Sequence, residues 1–143
     1  MKYFEELTVG DGDSFGDYEV TREEVTEFAG QYDPQPIHTD PAAAAESMFG
    51  ELVASGWHTA AMTMRLLVDG RLADSRALGA LGVDSLRWPE PVRPGDRLSV
   101  GTEIRGKEPF DDERGRVAIA VTTTNQRGET VLSMVAQVLW ERR

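Results

Sequence analysis

At 143 residues, with 40% hydrophobic side chains and no cysteine, the chain is long enough to bury a core and has neither disulfides nor thiolate chemistry at its disposal. A formal net charge of -10 excludes non-specific capture of nucleic acid or of anionic membrane surfaces. No apolar run approaches the roughly 18–20 residues of a membrane span, and Met1–Glu6 lacks the basic-then-apolar pattern of a secretory signal, so a single globular domain over residues 1–143 in the cytoplasm is expected.

Residues 1–20, with Gly10, Gly12 and Gly16 among short apolar pieces, predict a leading loop and one edge strand. Thr21-Arg22-Glu23-Glu24 reads as a capping box, Thr21 being the N-cap and Glu24 the third helical residue. Val25, Phe28 and Ala29 then share one helical face, and Gly30 is placed to end the helix. Tyr32–Asp40 follows, Tyr-Asp-Pro-Gln-Pro-Ile-His-Thr-Asp. Pro34 and Pro36 each remove a backbone donor, which predicts a rigid, extended loop. On it stand Asp33 and His38, five residues apart, an acid and an imidazole able to share proton transfers.

Asp40-Pro41 suits the start of a short helix over Ala42–Met48, so Asp40 is read as its cap in preference to a catalytic acid. Trp57–Val68 predicts the longest helix, apolar nearly all round with Arg65 its only formal charge, and hence buried. His58, in its first turn, is read as a neutral packing or hydrogen-bonding residue, with pocket lining as the alternative. Met62 and Met64 are read as core. After a glycine-containing loop, strands are expected over Val83–Trp88, over Asp96–Arg105 with Leu98, Val100, Thr102 and Ile104 alternating onto one face, around Val117–Val121 with Val117, Ile119 and Val121 alternating likewise, and over Val131–Trp140. If one face of the last strand packs on the helix, Val131, Val135 and Leu139 would lie on the outer face. The whole is an α+β arrangement: an antiparallel sheet curled round one long central helix.

Phe28, the run Asp33-Pro34-Gln35-Pro36-Ile37-His38, Ser55-Gly56-Trp57 and the turn Pro91–Asp96 together make the chain resemble the MaoC-like hydratases of the hotdog-fold superfamily. It departs from that pattern at Tyr32, where glycine is usual, and at Gln35, where asparagine is usual. The resemblance implies a single hotdog fold and reversible hydration of trans-2-enoyl thioesters of coenzyme A or acyl carrier protein, giving (R)-3-hydroxyacyl products. It implies Asp33 and His38 as the acid–base pair, and the Gly56 N–H as donor to the thioester oxygen. Gln35, Ser55 and Trp57 become candidate substrate-binding residues, with Gln35 holding the loop or orienting His38. No metal or redox cofactor is implied. A homodimer is, because one curled sheet leaves an edge and an apolar face uncovered. Rival readings are a hotdog acyl thioesterase and a non-catalytic thioester-binding subunit. Arg87, Arg93, Arg97, Arg105 and Lys107 could form a positive rim for coenzyme A phosphates, or be ordinary solvated strand residues.

Overall fold

The computed structural model describes residues 1–143. Five strands form one antiparallel sheet: β1 (Gly12–Glu19), β2 (Ala77–Arg87), β3 (Arg97–Pro109), β4 (Arg114–Thr124) and β5 (Thr130–Glu141). Their order is β1-β3-β4-β5-β2, so β1 and β2 are the two edges. The helices are α1 (Arg22–Tyr32), α2 (Pro36–Thr39), α3 (Pro41–Ala45) and α4 (Gly56–Gly70).

The alternation expected in the central strands places the core. Leu98, Val100 and Ile104 of β3 and Val117, Ile119 and Val121 of β4 point inward and are buried with Ala136, Val138 and Trp140 of β5. Met62, Leu66 and Leu67 of α4 complete the same cluster, so the sheet wraps the long helix. One polar contact crosses this interior: Thr63 of α4 and Thr123 of β4 share a hydroxyl–hydroxyl bond of 2.8 Å, which satisfies both without solvent.

Several expectations need correction. Gly30 does not end α1, which continues to Tyr32. Nothing competes with the helical bond there, because Asp33 N–H still reaches the Ala29 carbonyl at 2.8 Å. The capping box is half formed: Glu24 N–H meets the Thr21 hydroxyl at 3.3 Å, while the Glu24 side chain turns inward to Tyr18 and His58. The proline segment is not wholly extended, since Pro36 occupies the first position of the short helix α2, where a missing N–H costs nothing.

Helix α4 is not buried all round, for Trp57, Met64 and Val68 are exposed along one side. Strand β2 begins at Ala77 rather than Val83. Its register against β5 shifts between Ala77 and Gly79 and again between Ala80 and Gly82, which lets a glycine-rich stretch pair without strict alternation. Val131 is fully buried, because the β4–β5 register shifts beside Thr124 and turns it to the core. Val135 and Leu139 are half-buried.

Candidate active site

Asp33 is the residue that caps the C-terminus of α1, and α2 then brings His38 back toward it within one turn. Helix α3 follows, with Asp40 as its N-cap: its Oδ1 accepts from the N–H groups of Ala42 and Ala43. The segment from Leu52 to Ser55 runs beneath, tied on one side by Val53 N–H to the Ile37 carbonyl and on the other by Ala54 N–H to the Val92 carbonyl. Ser55 then caps α4, its Oγ accepting from Trp57 N–H at 3.3 Å. Three separate stretches of sequence thus converge on one point.

At that point His38 Nε2 lies 3.3 Å from Asp33 Oδ2. His38 Nδ1 is 2.7 Å from the Val53 carbonyl, which can only accept, so the proton on that side is fixed on Nδ1 and Nε2 is the nitrogen left to exchange one. Asp33 receives the Ser55 hydroxyl at 2.7 Å on Oδ2 and the Gln35 amide at 2.7 Å on Oδ1. Those two donors, Gln35 first, hold the Asp33 carboxyl below the usual carboxylate range against the opposing effect of burial, and His38 adds to the effect. Asp33 is therefore an anion at neutral pH.

A cavity of about 490 Å³ opens here, lined by Asp33, His38, Ser55, Gly56, Trp57 and Trp88 among others. Gly56 is the first residue of α4, and its N–H has no acceptor within the protein. Its Cα faces the Trp88 indole closely: a Cβ built there would stand 2.6 Å from the ring. Trp88 in turn meets Trp57 edge-on at 5.2 Å between centroids.

All three residues expected to act together, Asp33, His38 and Gly56, line this one cavity, as do Ser55 and Trp57. Gln35 does not; it stands exposed and bonds Asp33 rather than His38. Trp88 and the Val53 carbonyl were not foreseen. Trp88 directly follows β2 and precedes the two prolines of Trp-Pro-Glu-Pro, a position that sequence marks as a strand end, whereas a backbone carbonyl leaves no mark in sequence.

The expected positive rim is largely spent on internal partners. Arg93 pairs with Glu51, Arg97 with Asp17 and Glu19, Arg105 with Glu103, and Lys107 donates to the Phe4 and Leu7 carbonyls. Only Arg87 of the five lacks such a tie, donating to its neighbour Leu86 alone.

His58 sits beside the site rather than in it. Its ring stacks on Phe28 at 4.6 Å and 8°, its Nε2 is 3.4 Å from Glu24 Oε1, and its Nδ1 is buried with no partner. Burial holds its pKa below the ordinary value of 6.5, with Glu24 opposing. The unfolded chain takes up that proton first, so this contribution to stability is complete above 6.5 and is lost as the pH falls below it. Thermal melts between about pH 7.5 and 5 should show a falling midpoint, and His58→Phe should flatten the slope. Equal slopes would show that another group is responsible.

The model of the MaoC-like domain matches residues 8–126. A 3-hydroxyacyl-thioester dehydratase from Mycobacterium tuberculosis is 33% identical over 87% of this chain and 86% of its own. The crystal structure of a MaoC-like dehydratase from Rhodospirillum rubrum is 44% identical, covers 100% of this chain and 99% of that one, and gives a TM-score of 0.91. An unliganded R-hydratase, PhaJ1 from Pseudomonas aeruginosa, is 28% identical over 99% of this chain and 86% of its own, with a TM-score of 0.79. The sheet wrapped on α4 is the hotdog fold.

Proposed function

The chain belongs to the MaoC-like dehydratase/hydratase family, and we propose that it reversibly hydrates trans-2-enoyl thioesters to (R)-3-hydroxyacyl thioesters. The observation that carries this reading is the anionic Asp33 carboxylate 3.3 Å from a single proton-exchanging nitrogen of His38, in a cavity that also presents the free N–H of Gly56. Water bound jointly by Asp33 and His38 on their cavity side loses a proton as it attacks C3, and the pair returns one to C2. Negative charge that develops on the thioester oxygen meets the Gly56 N–H at the positive end of α4. Ser55 and Gln35 keep Asp33 oriented, and Trp57 and Trp88 wall the entrance. Because water addition is redox-neutral, the reading calls on no redox cofactor, and the Gly56 N–H takes the part a Lewis-acid metal would otherwise play at the thioester oxygen. It suits a cytoplasmic enzyme of thioester metabolism.

An apolar acyl chain has somewhere to go. A second cavity of about 370 Å³ lies along α4, walled by Met64, Leu67, Val68, Val83 and Met134. Met64 is eight residues from Gly56, so this pocket begins about 12 Å along the helix from the amide. Of the basic residues expected to form a rim, Arg87, next to Trp88 in the chain, is the one free of an acidic partner to meet a phosphate of the carrier.

Incubation with crotonyl-CoA tests the function. Hydration removes the enoyl absorbance without freeing thiol. Release of thiol would make the protein a thioesterase, and neither change would leave a thioester-binding subunit.

We also propose a homodimer. Edge strand β2 exposes Leu78, Leu81 and Val83, and the open side of α4 adds Trp57, Met64 and Val68. So much apolar surface beside an unpaired edge calls for a partner, and a second copy supplies the matching edge. Light scattering should give twice the 15.8 kDa chain mass. Leu81→Lys should shift the protein toward monomer, and a monomeric wild type would refute the pairing.

A further inference from the structure

The proposed reaction leaves one cluster of titratable side chains unused: Tyr18 of β1, Glu24 and Glu27 of α1, and His58 and Arg65 of α4, around a cavity of about 300 Å³. We propose that His58 is a positioning residue that clamps α1 onto α4 and so holds Asp33 within reach of Ser55 and His38. This rests on the hydratase reading of the site and adds a residue to it that touches no reacting atom.

Helix α4 grips α1 at two places. Ser55 Oγ holds the Asp33 carboxylate at 2.7 Å. His58, three residues on and thus about 4.5 Å further along the axis, holds Phe28 by ring stacking and Glu24 by its Nε2. Phe28 precedes Asp33 by five residues, about 7.5 Å of helix. Val25 and Ala29 bury one face of α1, and the two contacts with α4 then fix the angle at which its C-terminal end meets Ser55. The angle reaches the site undamped, because Asp33 N–H is still bonded to the Ala29 carbonyl and the carboxylate therefore moves with the helix. Glu24 is itself braced from the sheet by the Tyr18 hydroxyl, whose pKa is pushed up to about 12, chiefly by burial and then by that carboxylate.

The clamp works with a neutral ring. Glu24 accepts only, so the ring proton belongs on Nε2, and Nδ1 is left buried and unpartnered. Protonation would bury a second, unsatisfied N–H beside the positive end of α4. Glu24 is the carboxylate within reach of the ring; Glu27, Tyr18 and Arg65 are the other titratable groups around the same cavity.

The test uses the full chain with His58→Phe, which keeps a ring to stack and removes the donor, and His58→Gln, which keeps a donor and removes the stack. Glu24→Gln serves as a third variant that preserves shape should either fail to fold. We expect folded proteins in which kcat on crotonyl-CoA falls toward 10²-fold, the order of loss that about 1 Å of misplacement brings, with KM little changed. The ¹³C-detected titration of the Asp33 carboxyl should move up toward the ordinary aspartate value as its donors lose their aim. Wild-type kcat and a wild-type Asp33 titration in the folded variants would overturn the clamp. If the wild-type protein hydrates no enoyl thioester, the proposed function fails, and the Asp33 titration alone then decides whether His58 positions that carboxylate.

Discussion

Asp33→Asn is expected to lower the rate of crotonyl-CoA hydration by about 10²–10⁴-fold, the usual range for removing a positioned acid–base group. The substitution is nearly isosteric. An asparagine oxygen can still accept from Ser55, so α1 and α4 stay joined. What disappears is the negative charge beside His38 Nε2 and the ability to take a proton from water. Because Gln35 and Ser55 hold the carboxyl below its ordinary range, Asp33 also stabilises the fold above that range, a contribution lost as the pH falls through its folded value. The variant should therefore be somewhat less stable at neutral pH and lose less on acidification. Initial rates from the enoyl absorbance, paired with melts across the acid range, measure both effects. A variant hydrating within a few-fold of wild type would remove Asp33 from the chemistry.

Gly56→Ala should be the second large loss, and its cause can be dissected. Removing one donor to a developing oxyanion typically costs about 2.7–4 kcal/mol, or roughly 10²–10³ in kcat. Alanine keeps the N–H, but its Cβ would enter the space of the Trp88 ring, 2.6 Å away. Either the half-exposed indole yields or the helix start shifts and carries the amide off its target. A fall in kcat of about 10–10³-fold is expected if the helix start gives way. Combining Gly56→Ala with Trp88→Ala relieves the clash, so the double variant should recover most of the loss. If the double variant is as slow as the single one, the Trp88 contact is not what binds that position to glycine. If Gly56→Ala alone is unimpaired, the indole has yielded, the amide has kept its place, and the close Trp88 contact does not require glycine there.

Much of this architecture could be read from the chain. Strict alternation in β3 and β4 identified the inward residues correctly, since a strand half-buried in a curved sheet leaves its period in the sequence. The two prolines, Asp33 and His38 marked the site, and Ser55-Gly56 marked the helix start facing it. Local signals failed where tertiary contacts overrode them. Gly30 reads as a stop, yet α1 packed on α4 continues for two more residues. Val131 reads as outward until a register shift turns it in. The exposed apolar side of α4 is indistinguishable in sequence from a buried one, because Trp57, Met64 and Val68 have the composition of a core. Trp88 reaches Gly56 across more than thirty residues, and no pattern of spacing announces such a contact.

The Val53 carbonyl has one more consequence. By occupying His38 Nδ1 it leaves the imidazole a single working nitrogen, and that nitrogen shares one side of the cavity with the Asp33 carboxylate. In the proposed reaction, both new bonds to the planar enoyl group would then form from that side. Oxygen at C3 and hydrogen at C2 would be delivered syn, so hydration in deuterium oxide should give a single C2-deuterated diastereomer, the one of syn addition.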